Sequence, residues 1–170
     1  MPSLHANATA VERLYHQLGP VLLLFARSIT GDRGRAQDAV HQVFLKLLEN
    51  TSLGEVADVK AYLFTCVHNF ILNDIKTRQH SVALNEQPVW FEPPERDYTA
   101  ELNLRRALCS LPEDQRQVVV LHVWGEFTFS QTAEVLGISS NTAASRYRYA
   151  LANLRELMLP KEDSYANPSR

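Results

Sequence analysis

Between Ser139 and Arg148 the chain places Asn141, Thr142, Ala144, Ser145, Arg146 and Arg148 within about three turns of a helix. At helical spacing Asn141, Ala144, Ser145 and Arg148 share one face. Asparagine and arginine there make paired hydrogen bonds to base edges, while Thr142 and Arg146 suit phosphate oxygens. From Thr142 to Met158 the only acid is Glu156, against Arg146, Arg148 and Arg155. The chemistry these residues favour is the reading of a DNA groove.

Such side chains work only if a scaffold presents them. Ala143, Tyr147, Ala150, Leu154 and Leu157 recur at alternating four and three residues on the opposite face, which marks a buried stripe. Upstream, Ser139 is a helix cap, Ile138 plugs a corner and Gly137 provides a left-handed stop. Thr128 followed by Gln131 forms a capping box for a preceding helix carrying Ala133, Val135 and Leu136. Ala133, Gly137 and Ala143 are small where two helices must cross closely. Earlier still, Ser110-Leu111-Pro112-Glu113 reads as another start, with Ser110 and Glu113 as a reciprocal cap, and Gly125 ends the apolar run Val118 to Trp124. The region from Ser110 to Met158 is therefore expected to be three short helices ending in a helix-turn-helix, its second helix in a major groove. The competing arrangement is an ordinary helical hairpin; turn chemistry and caps favour the former.

The first part of the chain has a different pattern. Val11, Leu14, Tyr15 and Leu18 lie at helical spacing, Gly19-Pro20 is expected to interrupt them, and Val21 to Thr30 continues as a longer apolar helix. Gly31-Asp32 is a turn. Arg35 to Glu49 carries the stripe Ala36, Val40, Val43, Phe44 and Leu47; Asn50 to Asp58 reads as a loop. Val59 to Lys76 is a further helix, with Tyr62, Leu63, Cys66, Val67, Phe70 and Ile71 packed inward. From Gln79 to about Asp97 the pattern breaks, with three prolines and several acids, as an extended linker does. The fold expected is all-α: two small helical domains, residues 1–79 and 99–159, joined by a flexible linker at 80–98, with a frayed tail at 160–170.

Composition narrows the function. The 170 residues are 45% hydrophobic, enough for packed cores, and contain no stretch of membrane-spanning length or signal-peptide pattern. Cys66 and Cys109 are too few for a disulfide framework, which favours a reducing, cytoplasmic setting. Their spacing with His68 and His122 matches no closed zinc motif, so buried thiols are expected and no metal or other cofactor. No phosphate loop, nucleophile elbow or carboxylate pair suggests an enzyme. The net charge of −2 is unusual for a free-standing DNA binder. Either DNA contacts are few and local, or a larger partner supplies most of the affinity.

Taken together, these residues resemble the extracytoplasmic-function (ECF) class of bacterial RNA polymerase sigma factors over nearly the whole chain, from about Val11 to Met158. The opening Glu12-Arg13-Leu14-Tyr15 with Leu22 to Asp32 is similar to the start of that family's N-terminal domain. Ala36-Gln37-Asp38-Ala39-Val40-His41-Gln42-Val43-Phe44-Leu45-Lys46 resembles the helix that grips the clamp helices of the polymerase largest subunit. Ala61-Tyr62-Leu63-Phe64 with Asn69, Asp74, Lys76 and Arg78 resembles the helix that melts and reads the minus-ten promoter element. Leu111-Pro112 through Arg146 is similar to the domain that reads the minus-thirty-five element.

The resemblance implies a promoter-specificity subunit with core RNA polymerase (clamp helices and flap), promoter DNA and an anti-sigma factor as partners. It makes Asp38, Gln42, Leu45 and Glu49 a docking edge, an apolar centre with acidic and amide flanks. Capturing unstacked bases favours aromatic platforms and amides. Tyr62, Phe64, Asn69, Phe70 and Asn73 are candidates, Tyr62 and Asn69 foremost. Lys76 and Arg78 join them as DNA contacts, and the loop Asn50 to Lys60 is implied to rim a pocket for a flipped base. The chain departs from the family in having His41-Gln42 instead of Gln-Glu, Leu48 instead of an aromatic, Ala144 instead of lysine, and fewer arginines after Ile75. Fewer phosphate contacts imply weaker intrinsic DNA affinity. The alternatives are a stand-alone helix-turn-helix regulator and a degenerate sigma-like interaction protein.

Overall fold

In the computed structural model, the described residues are 4–49, 56–79 and 99–159. The expected linker at 80–98, the tail at 160–170 and most of the loop from Asn50 lie outside them. The described residues form seven helices: α1 Leu4–Thr30, α2 Arg33–Glu49, α3 Val59–Gln79, α4 Thr99–Ser110, α5 Glu113–Val119, α6 Phe129–Leu136 and α7 Ser140–Met158.

Helix α1 corrects the break expected at Gly19-Pro20, because it runs unbroken through Pro20. A proline normally drives the preceding residue out of helical geometry through a clash with its Cβ, and glycine has none. Val11 on one side of Pro20 and Leu22, Phe25, Ala26 and Ile29 on the other are buried, so packing on both sides offsets the lost hydrogen bond. Thr30 Oγ1 donates to the Ala26 carbonyl at 3.0 Å, and Gly31 turns the chain with a φ of 65°. Asp32 then caps α2, accepting from the Arg35 amide at 2.6 Å. Helix α2 buries Ala36, Ala39, Val40, Val43, Phe44 and Leu47, the expected stripe with Ala39 added. Asp58 starts α3 in the same manner, accepting from the Ala61 amide at 2.9 Å.

Helix α4 was not foreseen, and it overturns the cap expected at Ser110. Because α4 runs through Ser110, that residue is already helical and its hydroxyl donates back to the Arg106 carbonyl at 3.0 Å. Pro112 occupies the cap position of α5 without a side-chain bond, and Glu113 instead accepts from Gln117 Nε2 at 2.8 Å.

Helix α5 loosens into one π turn, Val120–Trp124, and Gly125 closes it. Gly125 keeps a φ of −77°, and the left-handed residue is Glu126, with a φ of 54°. What demands glycine at 125 is space, since a Cβ there would fall against the Leu121 carbonyl oxygen and lie 2.9 Å from Phe127 Cδ2.

Two cores result. A small one joins Ala107 of α4, Leu111 in the turn that follows it, Val119 of α5, and Ala150 and Leu154 of α7. The large one holds the inner faces of α1, α2 and α3, and it continues without a gap into Val120, Leu121, Phe127 and Val135 of the C-terminal half. Phe25 packs on Phe64 at 5.5 Å between ring centroids, and Phe64 meets Phe127 edge-on at 5.0 Å. The two halves are therefore packed against each other, a relation that composition did not reveal.

Candidate nucleic-acid and protein interfaces

The C-terminal half builds the expected helix-turn-helix from α6 and α7. Thr128 accepts from the Gln131 amide while Gln131 Oε1 accepts from the Thr128 amide at 3.0 Å, completing the capping box. Gly137 is left-handed, with φ 66° and ψ 36°, and the Ile138 amide reaches back to the Ala133 carbonyl at 3.0 Å. Ser139 caps α7 through the Thr142 amide at 3.0 Å. Ala133 and Ala143 are both buried at the crossing. His122 pins this unit: its Nδ1–H donates to the Phe127 carbonyl at 2.7 Å, its ring stacks on Phe129 at 4.5 Å, and Tyr147 meets it edge-on at 4.7 Å.

Helix α7 follows the expected two faces with one correction. Ala143, Ala150 and Leu154 are buried and Tyr147 is half-buried, but Leu157 is 51% exposed, so the inner stripe stops at Leu154. The last turn runs past the end of the small core. On the outer face Asn141 and Arg148 are exposed, with Ala144 and Ser145 half-buried between them. Arg148 donates to the Ser145 hydroxyl at 3.3 Å. Thr142 shares the cap with Ser139, and Arg146 pairs with Asp114 of α5 at 3.1 Å.

In the N-terminal half, α3 displays a polar strip. Tyr62, Asn69, Asn73, Lys76 and Arg78 are all exposed. Tyr62 was expected to pack inward as well as to serve as a base platform; at 45% exposure it is at the surface. Phe64 leaves the list of base platforms, because it is fully buried. Tyr62, Asn69 and Asn73 line a groove of about 270 Å³ between α2 and α3, with Phe70, Cys66, Val43, Lys46 and Leu47 completing it. The neighbouring Cys66 thiol raises the Tyr62 phenol above its ordinary value. Lys46 Nζ stands 5.8 Å from the Phe70 ring centre and brings a positive charge to this groove. Lys46 was not among the expected site residues, though its spacing three after Val43 puts it on the edge facing α3.

Arg78 pairs with Asp74 at 3.0 Å, and Asp74 also meets Arg35 at 3.8 Å. Two expected phosphate contacts, Arg78 and Arg146, are thus held by carboxylates. Surface pairs of this kind are worth about 0–1 kcal/mol, so a phosphate can displace the carboxylate at small cost.

The expected docking edge of α2 is also open. Asp38, Gln42 and Glu49 are exposed, Leu45 is 50% exposed, and its neighbour Leu48 adds a second apolar side chain at 45%. His41, on the adjacent edge, stacks against Tyr15 of α1 with Nε2 3.3 Å from its hydroxyl. No helix among the described residues is long and apolar enough to cross a membrane.

Residues 14–81 match the Sigma-70 region 2 family and residues 101–154 match Sigma-70, region 4. The ECF RNA polymerase sigma factor EcfG of Rhodopseudomonas palustris is 30% identical over 152 residues, spanning 82% of this chain and 80% of that protein. The ECF RNA polymerase sigma factor SigL of Mycobacterium tuberculosis is 28% identical over 161 residues, spanning 88% and 89%. Among solved structures, the sigma factor RpoE of Bartonella quintana, crystallised with the anti-sigma factor NepR, superposes with a TM-score of 0.72 at 25% identity, covering 86% of this chain and 94% of that one. CnrH, solved with the cytosolic domain of CnrY, shares the fold with a TM-score of 0.61 at 23% identity, covering 91% and 90%. With two region-type helical domains in the family's order and an EcfG relative spanning most of both chains, the protein belongs to the ECF class of RNA polymerase sigma factors.

Proposed function

We propose that this sigma factor divides its work among three surfaces. The α2 edge of Asp38, Gln42, Leu45 and Glu49 docks on the clamp helices of core polymerase. The strip of Tyr62, Asn69 and Asn73 takes unstacked bases of the minus-ten element, with Lys76 and Arg78 on the flanking phosphates. The outer face of α7, from Asn141 to Arg148, reads the minus-thirty-five element. The observation that carries the assignment is the α2–α3 groove, where a phenol, two carboxamides and the Lys46 ammonium converge beside the Phe70 ring. A base extruded from the stack needs a flat apolar surface to lie on and amide groups to bond its edge. No bond is made or broken; binding energy is spent on distorted DNA.

The partner that restrains the protein is an anti-sigma factor, a reading supported by the RpoE relative solved with one. The stand-alone regulator is disfavoured by the net charge of −2, which leaves too little phosphate affinity for a solitary binder.

The test is binding of the purified protein to labelled core polymerase, followed by promoter opening read with permanganate. Asp38→Arg combined with Gln42→Ala should weaken polymerase binding about tenfold or more, with an unchanged melting temperature. Unchanged affinity would remove the α2 edge from the account, and no binding by the wild-type protein would refute the assignment as a whole.

A further inference from the structure

One edge of α7 carries more than its two expected phosphate contacts. Thr142, Arg146, Tyr149 and Asn153 follow one another at i, i+4, i+7 and i+11, so they stand in one row beside the base-reading face. Two members of the row are tied to the start of α5: Arg146 pairs with Asp114 at 3.1 Å, and Asn153 Nδ2 donates to Gln115 Oε1 at 2.8 Å. Thr142 is engaged in the Ser139 cap, with 2.8 Å between the two hydroxyls. Tyr149 is the exposed member of the row. At 65% it is the most exposed large apolar side chain among the described residues.

Its height on the helix decides what it can reach. The N-terminal residues of a recognition helix meet base edges. Tyr149 comes nine residues after Ser140, about 13.5 Å along the axis, and the major groove is about 12 Å wide. A side chain that far along stands at the rim, where the phosphates run, and not over the bases. Arg148 differs because its guanidinium reaches back to the Ser145 hydroxyl at 3.3 Å, which returns its charge to the groove. Chemistry agrees with position. Tyrosine is among the side chains that bond phosphate oxygens, and its apolar ring can cover the sugar beside one. Arg146 is the cation of the row, and Asp114 already occupies it. The Tyr149 hydroxyl is a donor that no carboxylate has to release.

We infer that Tyr149 is a positioning residue for the minus-thirty-five element: its hydroxyl donates to a backbone phosphate at the groove rim and fixes the register in which Asn141, Ser145 and Arg148 meet the bases. The inference rests on the α7 reading proposed above, and it adds a residue that the face from Asn141 to Arg148 does not include. The contact has a signature of its own. A lysine or arginine on a phosphate releases condensed counterions, which steepens the fall of affinity with salt, and an uncharged hydroxyl does not. A chain with a net charge of −2 gains here a phosphate contact that salt weakens little.

The test uses the full chain in complex with core polymerase, on a promoter duplex that the complex selects from a random-sequence library. Tyr149→Phe removes the hydroxyl and keeps the ring, and at this exposure it should leave the melting temperature unchanged. It should weaken promoter binding about fivefold or more, with the slope of log affinity against log salt unaltered. Tyr149→Arg should recover affinity at low salt and steepen that slope by about one. Methylphosphonates placed singly through the minus-thirty-five element should reveal one position that weakens the wild-type complex and leaves the Tyr149→Phe complex unaffected. Equal promoter affinity of Tyr149→Phe and wild type would overturn the inference, as would identical methylphosphonate penalties in the two proteins. A Tyr149→Phe protein that loses affinity for core polymerase in the absence of DNA would also overturn it, assigning the residue to a protein contact. Failure of the wild-type complex to select any promoter would instead refute the α7 reading itself, and the inference with it.

Discussion

Replacing Gly125 by alanine tests whether the junction between the π turn and Phe127 is as crowded as it looks. The backbone at 125, with a φ of −77°, suits any residue, so no conformational penalty applies. The cost is steric: the new methyl would be pressed against the Leu121 carbonyl oxygen and lie 2.9 Å from Phe127 Cδ2. The ring can tilt, but the carbonyl cannot rotate away, because it accepts the Phe127 amide at 3.2 Å. Forced overpacking costs about 1–3 kcal/mol, and an immovable backbone atom places this case near 3. For a chain of this size, 1 kcal/mol moves the melting temperature by about 2–4 °C. Gly125→Ala should therefore lower it by about 6–12 °C. Gly137→Ala is the contrasting case. Nothing lies within 4 Å of its Cβ position, yet the φ is +66°, so the penalty is purely conformational, about 1–2 kcal/mol. Asparagine, which tolerates that region, should recover much of the loss at 137 and none at 125. The assay is thermal unfolding by circular dichroism. A Gly125→Ala protein melting within about 2 °C of wild type, or rescue by asparagine at 125, would refute the reasoning.

Two further outcomes follow from single side chains. Arg148→Ala should weaken binding to the minus-thirty-five element by about 1–3 kcal/mol and binding to scrambled DNA much less; equal losses on both, measured by fluorescence anisotropy, would make it a phosphate contact. His68 is buried beside Phe25, its Nδ1 has no hydrogen-bond partner among the described residues, and burial holds its imidazole below the ordinary value. The unfolded chain therefore takes up a proton that the folded chain refuses, so stability is full above about pH 6.5 and declines as pH falls below it. His68→Gln should flatten that decline in melting temperature, and an unchanged slope would assign the acid sensitivity to other groups.

Local chemistry was legible in the residues themselves. The Thr128–Gln131 box, the left-handed Gly137 and the Ser139 cap depend on side chains that bond within three or four residues, so their spacing was enough to place α6 and α7. The exposed edge of α2 followed from its periodicity in the same way. Errors came where a neighbouring element overrode a local signal. Ser110 has the composition of a cap, yet it is the last residue of α4. Gly19-Pro20 has the composition of a break, yet packing on both sides holds one helix through it. Tyr62 and Phe64 are both aromatic and two residues apart, but only their rotation on α3 relative to α1 and α2 sends Phe64 into the core and leaves Tyr62 at the groove. Nor does any pattern pair Phe127 with Phe64. A contact across 63 positions is set by how two preformed cores meet, and that depends on shape and excluded water more than on periodicity. The sequence alone was sufficient for α2, α3, α6 and α7, for the caps at Thr128 and Ser139, and for the family. The packing of the two halves against each other emerges only when those helices are assembled in three dimensions.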